Sequence, residues 1–200
     1  MPTGENIKSL HSLLKQRNAN PDRAPQIDRD INRRFRCRRA IHVLDMSGFS
    51  VSTQRHGIIH HLAKIQRMHS IVSTEVGNQK GSVLKFEADN AFSVFKTVNA
   101  AIKASREICR GVAEANAGAG PVDQINVARG IGYGQILLAS DDFFGDEVNL
   151  ASKLGEDIAQ SGEVLLTPEA VNAVRGKAHR LESLDLSISG IHLRAAKLTL

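Results

Sequence analysis

Two long stretches of the chain place apolar residues at the three- and four-residue intervals of an amphipathic helix. The first begins near residue 58 and continues to Val72, and the second covers residues 98–115 and is followed by a Gly/Ala-rich stretch over 117–120. A shorter pattern of the same kind runs over residues 7–16, where the apolar residues are Ile7, Leu10, Leu13 and Leu14. The pattern therefore predicts two long helices and one short N-terminal helix.

Short apolar runs bounded by turn residues predict the strands. Residues 40–44 form one such run, and 82–86 and 91–95 form two more that are joined tightly at 88–90, as in a hairpin. Residues 125–131 and 135–139 predict a further pair around Gly132. Towards the C-terminus we expect a helix over 147–160, a strand over 163–166, a helix over 168–174 and two strands over 181–200 that meet near Gly190.

The order of these elements predicts the fold class. After the N-terminal segment the order is β-α-β-β-α-β, which predicts an α+β fold with a ferredoxin-like βαββαβ core, an antiparallel sheet with helices on one face, and C-terminal additions. Residues 18–25 are polar with two prolines, and 28–39 are highly charged. We therefore divide the chain into an N-terminal helix and basic linker over 1–38 and a folded domain over 39–200.

Composition narrows the class of protein. The chain has 200 residues, of which 42% are hydrophobic, enough for the core of one domain. No apolar run reaches the roughly 18 residues that span a membrane, and the N-terminus lacks a charged region followed by an apolar one, so we expect no secretory signal. Cys37 and Cys109 have neither metal-like nor redox-like spacing, so we expect a cytoplasmic protein with free thiols. The net charge of +5 is concentrated in five arginines, at positions 33, 34, 36, 38 and 39.

Two aspartates close neighbouring strands of the predicted sheet. Asp45 ends the strand over 40–44, and Asp89 lies in the turn of the predicted hairpin. In a ferredoxin-like sheet these strands are neighbours at the centre, so both carboxylates can converge at one end. Paired carboxylates beside backbone carbonyls can hold Mg²⁺ next to a triphosphate. The alternative is that each aspartate simply forms a turn.

Four motifs in chain order resemble the catalytic domain of bacterial-type class III adenylate and guanylate cyclases. The runs 43–50, 84–89 and 142–153 resemble the family's Asp-x-x-Gly-Phe-Ser, Lys-x-x-Gly-Asp and Asp-x-x-Gly-x-x-Val-Asn-x-Ala-x-Arg segments, and 129–134 resembles the strand and turn before the last. Any one motif alone would be a weak signal, but the ordered set is specific and covers about residues 39–200. The resemblance implies that this region is a nucleotidyl cyclase domain.

The resemblance assigns metal-binding and base-reading roles. Asp45 and Asp89, with the backbone carbonyl of Met46 as a third oxygen, would hold two divalent metal ions, Mg²⁺ or Mn²⁺. Lys85 and Asp142 match the positions that read the purine in adenylate cyclases of this family. Lysine can donate to adenine N1, and aspartate can accept from the N6 amino group. The resemblance therefore implies ATP as substrate and cyclic AMP as product.

The resemblance also implies a homodimer. Asn149 matches the residue that orients the ribose, and Lys153 stands where the family has an arginine that stabilises the transition state. In these cyclases the metal ligands come from one chain, and the base-reading and transition-state residues come from the other. A chain that carries both sets implies two equivalent sites in a homodimer.

Three positions depart from the family pattern. Ala88 replaces a glycine, which is a mild change if its φ is negative. Lys153 keeps the positive charge of arginine but loses the planar fork that grips two phosphate oxygens. Ser189 and Gly190 stand where the family often has a lysine-glycine pair, and Lys197 or Arg194 could replace that lysine. These departures leave open a cyclase-homology domain that binds nucleotide or partners with little turnover.

A nucleic-acid-binding module is the third function class that the pattern leaves open, because RNA-recognition modules are also ferredoxin-like. Those modules display aromatic residues on their central strands, whereas this chain has one tyrosine and no tryptophan. We expect no nucleic-acid partner and interpret the arginines as a dimer contact or a solvated helix end. His56 and His60 have the spacing of zinc ligands, but nothing completes a site, so we expect a solvated helix face there.

Overall fold

The computed structural model describes residues 4–47, 57–176, 179–188 and 191–199, and these residues form an α+β fold. The strands are β1 Arg36–Met46, β2 Ser82–Glu87, β3 Asn90–Phe95, β4 Val127–Leu138, β5 Phe143–Phe144, β6 Val164–Leu166, β7 Leu181–Ile188 and β8 Ile191–Leu198. The α-helices are α1 Ile7–Ala19, α2 Ala24–Phe35, α3 Ile58–Asn78, α4 Val98–Ala117, α5 Asp146–Ser152 and α6 Pro168–Ala173. Within these residues, no helix has the length and apolar character needed to cross a membrane.

The eight strands form a sheet in the order β2-β3-β1-β4-β6-β8-β7, with β5 paired to β4. The first four strands have the order of a ferredoxin-like core, so the predicted fold class is confirmed. The pairing of β4 with β6 is parallel, and the other described pairings are antiparallel. The predicted C-terminal strand pair is present as β7 and β8.

Helices cover both faces of the sheet, whereas the sequence predicted helices on one face. Leu44 of β1 packs with Met68 of α3 and Ile108 of α4 in the largest hydrophobic cluster. Val43 points the opposite way, as neighbouring strand residues do, and packs in a second cluster with Ala151 of α5. The two long helices therefore share one face, and the short α5 lies on the other.

The N-terminal segment contains a second helix where the sequence predicted a polar linker. Helix α2 has proline in its first turn, where no intrahelical N–H is needed, and it leads directly into β1. Its apolar residues Ile27, Ile31 and Phe35 are buried against Leu10 and Leu13 of α1. Only one narrow side of this helix is apolar, and charged and polar residues fill the positions between Ile27, Ile31 and Phe35. Their i, i+4 spacing was therefore not recognised in the sequence.

Strand β4 is one continuous strand of 12 residues, so the predicted pair of strands around Gly132 was wrong. It pairs with β1 along the whole length of that strand. A Cβ on Gly132 would lie 2.6 Å from the carbonyl oxygen of Glu147, and one on Gly130 would overlap the carbonyl oxygen of Ala151. These glycines allow α5 to approach the sheet closely and do not turn the chain.

Helix α5 passes into a π-helical turn over Lys153–Ile158, so the predicted helix over 147–160 changes its winding half-way. Gly155 in this turn packs directly on β4, because a Cβ there would lie 2.7 Å from the backbone nitrogen of Gly130. π turns of this kind are frequent at functional sites. Here the wider turn brings the backbone of residues 153–158 against the centre of the sheet.

The turn between β2 and β3 holds Ala88 in a left-handed conformation, with φ of 50°. Replacement of glycine by alanine is mild only for a negative φ, and that condition is not met. A Cβ makes this conformation unfavourable by roughly 1 kcal/mol. The turn therefore stores strain directly beside Asp89.

Ala88→Gly should raise the free energy of unfolding by about 0.5–1 kcal/mol, because glycine adopts the left-handed conformation without a clash. Urea-induced unfolding followed by circular dichroism measures the change. Ala113→Gly, on the exposed side of α4, is the matched control and should lower the free energy of unfolding by about 1 kcal/mol. An Ala88→Gly protein no more stable than the wild type would show that the turn is not strained.

Candidate active site

A pair of carboxylates lies at one end of the sheet. Asp45 is the penultimate residue of β1, and Asp89 lies in the turn that joins β2 to β3, the strand next to β1. The pKa of Asp45 is raised to about 6, first by burial and then by the negative charge of Asp89. The structure thus brings the two predicted metal ligands within electrostatic reach of each other, and no cation among the described residues lowers the pKa of Asp45.

Two further acids, which the sequence analysis did not identify, act on the same carboxylate. The charges of Glu156 and Asp157, both in the π turn, also raise the pKa of Asp45. Burial raises the pKa of Glu156, and the charges of Asp157 and Asp89 add to that rise. Lys153 Nζ donates to Asp157 Oδ2 at 3.0 Å, which offsets part of this negative charge. This end of the sheet therefore concentrates negative potential.

Asp45 and Asp89 fit divalent cations bound through oxygen, although they do not form a complete site. Across the described ranges, no group of three His, Cys, Asp or Glu side chains could hold a metal ion. Backbone and phosphate oxygens would have to supply the remaining ligands, as they do for Mg²⁺ beside a triphosphate. Met46 is buried with its side chain in the largest hydrophobic cluster, so only its backbone carbonyl could contribute.

The two residues predicted to read a purine form an ion pair. Lys85 Nζ lies 3.1 Å from Asp142 Oδ1 and 2.8 Å from Glu87 Oε1, and 5.2 Å from the centre of the Phe92 ring. Burial lowers the pKa of Lys85, but the ion pairs with Glu87 and Asp142 outweigh it, so the pKa is raised and the ammonium stays charged. Lys85 and Asp142 are 27% and 25% exposed, so a ligand can reach both side chains.

Glu147 fixes the helix that carries the remaining candidates. Its Oε2 accepts hydrogen bonds from the backbone N–H of Tyr133 at 2.9 Å and from the hydroxyl of Thr167 at 2.7 Å. Glu147 therefore joins α5 to β4 and to the residue before α6. This role of Glu147 was not predicted from the sequence, although the residue stands two positions before Asn149 in a motif that resembles the cyclase pattern.

Asn149 and Lys153 lie one helical turn apart, on α5 and at the start of its π-helical continuation. Asn149 is exposed, and the side chain of Lys153 is 39% exposed. The contact of Lys153 with Asp157 is the i, i+4 ion pair of a helix surface. Both side chains are therefore accessible to a second molecule.

Several predicted features fall outside the described residues, namely Gly48, Phe49, Ser50, His56, Ser189 and Gly190. The structure does describe Lys197 and Arg194, the two cations that could replace the lysine of the family's lysine-glycine pair. Lys197 Nζ pairs with Glu163 at 2.7 Å, whereas Arg194 lies 3.9 Å from Asp185 with both side chains almost fully exposed. Of the two, Arg194 is the cation less restrained by its partner.

The arginine-rich segment makes contacts within the chain. These contacts are Arg33 with Asp30, Arg34 with Glu5, Arg36 with Gln135 and Arg38 with the Tyr133 ring. Ion pairs and stacking use part of the charge that would otherwise be available to phosphates. The contacts agree with a structural role, and the expectation of no nucleic-acid partner stays a prediction.

Solved structures of cyclase domains share this arrangement of strands and helices. The adenylate/guanylate cyclase/hydrolase from Silicibacter pomeroyi superposes with a TM-score of 0.70 over 82% of this chain and 98% of its own, at 23% identity. The chain has the class III nucleotidyl cyclase fold. The adenylyl cyclase CyaB from P. aeruginosa gives 0.66 at 17% identity, covering 82% and 95%. The guanylate cyclase domain of RhGC from Catenaria anguillulae in complex with GTP gives 0.69 at 14% identity, covering 81% and 96%.

Sequence comparison agrees with the cyclase fold. No protein-family model matches the chain. A protein named "Putative adenylate cyclase 3" from Rhizobium meliloti is 28% identical over 154 residues, which is 76% of this chain. The chain spans only 25% of the length of that relative. The cyclase fold is therefore common to this chain and to proteins named for either purine nucleotide, and the fold alone does not decide the substrate.

Asp45→Asn should raise the melting temperature of the metal-free protein by about 2–5 °C above pH 7. The pKa of Asp45 is about 6 in the folded protein and about 3.9 in an unfolded chain. The ionised carboxylate therefore destabilises the fold, and this cost appears as the pH rises from about 4 to 6 and is complete above that range. Thermal unfolding between pH 4.5 and 8 measures the difference, which should shrink towards pH 4.5.

The exposed carboxylate of Asp185 provides the control, because Asp185→Asn removes the same charge from a side chain that is 92% exposed. This variant should show no gain at any pH. Added Mn²⁺ should stabilise the wild type more than the Asp45→Asn protein, because binding to the folded state raises its stability. A gain for Asp45→Asn that is equal at pH 4.5 and pH 8 would refute the account of this carboxylate.

Proposed function

We propose that the chain belongs to the class III nucleotidyl cyclases and converts ATP to 3′,5′-cyclic AMP and pyrophosphate. In this reaction the ribose 3′-oxygen attacks the α-phosphorus, the bond to the pyrophosphate oxygen breaks, and the hydroxyl proton is lost. The single observation that carries the proposal is that one chain holds both the Asp45–Asp89 pair and the Lys85–Asp142 ion pair. The first pair suits cations and the second suits adenine.

The acidic end of the sheet supports the metal part of this proposal. Two divalent cations, Mg²⁺ or Mn²⁺, would activate the attacking hydroxyl and neutralise phosphate charge when bound. Asp45 and Asp89 would hold them, with the Met46 carbonyl as an additional oxygen. The raised pKa of Asp45 means that its ionised form is unfavourable without a cation, so cation binding relieves an existing electrostatic cost.

The ion pair supports adenine as the base. Lys85 presents only donors and ionised Asp142 only acceptors, whereas adenine offers an acceptor at N1 and a donor at N6. Guanine has a donor where adenine has an acceptor, and an acceptor where adenine has a donor, so both contacts would be mismatched. Each mismatched buried group costs roughly 1–3 kcal/mol. Glu87 provides a second carboxylate to Lys85, so the ammonium remains paired when Asp142 turns to the base.

A homodimer completes the proposed site. Asn149 would orient the ribose, and Lys153 would stabilise charge on the phosphates, both acting in the site of the partner chain. Their exposure is compatible with a contact to a second copy. Because each chain carries both sets of residues, a two-fold dimer would contain two equivalent sites.

A cyclase-homology domain with little turnover is the second candidate, and Lys153 favours it. Lysine lacks the planar fork of arginine, and its ammonium is bonded to Asp157 at 3.0 Å in the same chain. Loss of an arginine that stabilises phosphoryl-transfer charge costs on the order of a thousandfold in rate. We expect turnover that is slow, and faster with Mn²⁺ than with Mg²⁺, because Mg²⁺ demands near-ideal octahedral geometry.

The unmodified protein should use ATP at least about tenfold better than GTP, measured as kcat/KM for cyclic product, because guanine mismatches both base contacts. In the double variant Lys85→Glu with Asp142→Ser, ATP use should fall and the preference should move towards GTP. The assay quantifies cyclic AMP and cyclic GMP by chromatography with Mn²⁺ present.

Lys96→Glu is the control for this test, because Lys96 is an exposed lysine directly after β3 and its replacement changes the net charge as Lys85→Glu does. This variant should keep the ATP preference of the wild type. Equal or better use of GTP by the unmodified protein would refute the base-reading assignment. Absence of any cyclic product would favour the nucleotide-binding alternative.

A further inference from the structure

The loop over residues 139–142 ends at Asp142, the proposed base-reading residue. The N-terminal segment holds this loop through Glu5 and Ile7. The backbone N–H of Ser140 donates to the carbonyl oxygen of Glu5 at 2.8 Å. The side chain of Asp141 accepts a hydrogen bond from the backbone N–H of Ile7, the first residue of α1, also at 2.8 Å. Two successive residues directly before Asp142 are therefore bound to residues more than 130 positions earlier in the chain.

A partly exposed ion pair anchors this segment to α2. The guanidinium of Arg34 binds both carboxylate oxygens of Glu5, at 2.8 and 3.2 Å, and lies 5.5 Å from the centre of the Phe35 ring. Both partners are about one-third exposed. Because α2 leads directly into β1, the ion pair between Arg34 and Glu5 also ties the contact between Glu5 and the loop to the sheet.

Apolar packing joins the same parts of the molecule. Phe35 and Ala139 are fully buried, and they share a hydrophobic cluster with Leu10 of α1 and Ile31 of α2. Ala139 is the first residue of the loop, and its N–H donates to the carbonyl oxygen of Asp142 at 2.8 Å. The N-terminal helices therefore contribute to the packing around the first residue of the loop. The hydrogen bond from Ala139 links that residue to Asp142 at the other end of the loop.

The orientation of Asp142 depends on this loop. Its Oδ1 accepts a hydrogen bond from the backbone N–H of Phe143 at 2.8 Å and lies 3.1 Å from Lys85 Nζ. Phe143 is buried and packs edge-on against Phe92, 6.1 Å between ring centres. The burial of Phe143 and the hydrogen bond from Ala139 N–H hold the carbonyl side of Asp142. Release of Ser140 and Asp141 would therefore free the peptide on the amide side of Asp142 and change the direction of its carboxylate.

We infer that the helical pair α1–α2 positions Asp142 through Glu5 and Ile7 and thereby sets the preference of the site for adenine over guanine. This inference rests on the proposed function. Asp141 acts through its neighbour and does not touch the base, so it is a positioning residue. Asp45 lies at the far end of β1 from α2, so the metal pair should not change when the loop is released.

Asp141→Ala tests the inference, because it removes the acceptor for Ile7 N–H from an exposed side chain and leaves the core intact. The ATP preference, as the ratio of kcat/KM values for ATP and GTP with Mn²⁺, should fall about threefold to tenfold, the equivalent of one net hydrogen bond. Amide hydrogen exchange at Ser140 should become faster. Asp141→Asn keeps an acceptor oxygen and should retain most of the preference.

Arg17→Ala is the matched control. Arg17 binds both carboxylate oxygens of Asp28, at 2.6 and 3.1 Å, and so joins α1 to α2 away from the loop. It should leave the preference unchanged. An unchanged ATP preference in Asp141→Ala would overturn the inference, whatever the hydrogen-exchange rates. An equal loss of preference in Arg17→Ala would also overturn it, because such a loss would be a general effect of weakened helices.

Binding measurements separate this inference from the proposed activity. ATP and GTP are titrated against the wild type and Asp141→Ala in the presence of Mn²⁺, and the ratio of their dissociation constants is compared. If the wild type binds ATP without turning it over, the proposed catalysis fails while this ratio still decides the role of Asp141. A wild-type chain that binds neither nucleotide would overturn both.

Discussion

The close approach of α5 to β4 is the contact on which the candidate site depends. Gly130 and Gly132 leave no side chain between strand and helix, so backbone packs on backbone there. Glu147 then binds Tyr133 and Thr167 and prevents the helix from sliding along the strand. An alanine at Gly130 would meet backbone atoms that cannot move independently of the helix. The positions of Asn149 and Lys153 therefore follow from two glycines and one carboxylate.

The same contact shapes the electrostatics at the end of β1. Gly155 packs on β4 within reach of β1, since a Cβ there would lie 3.2 Å from the carbonyl oxygen of Val43. Residues that follow it in the π turn are thereby brought near Asp45, and their charges add to that of Asp89. A cluster of like charges at a strand end is unfavourable for folding alone and favourable for cation binding. The packing of the π turn and the acidity of this end of the sheet are thus properties of one arrangement.

Local motifs explain why part of this arrangement could be predicted. Asp45 and Asp89 follow apolar strand patterns directly, and the βαββαβ order makes their strands neighbours. The meeting of Lys85 with Asp142 was implied by the family resemblance, and the structure places them 3.1 Å apart. Their catalytic and binding roles stay predictions.

Other features could not be read from the sequence for physical reasons. Gly132 was assigned to a turn because a glycine that turns the chain and a glycine that admits a helix look the same in sequence. Helix α2 was missed because its apolar side is narrow and its other sides are charged. The left-handed φ of Ala88 and the approach of Glu156 to Asp45 depend on tertiary packing, which no local pattern encodes.

Formation of cyclic AMP by mixed variants is the sharpest test of the proposed two-metal site shared between two chains. Asp45→Ala and Asn149→Ala chains are purified, assayed alone with ATP and Mn²⁺, and then assayed as an equal mixture. A site shared between two chains predicts no turnover from either variant alone. It predicts about a quarter of the wild-type rate from the mixture, because half of the dimers are mixed and each mixed dimer contains one intact site of two. Turnover by Asp45→Ala alone, or no recovery where mixed dimers are demonstrated, would contradict it.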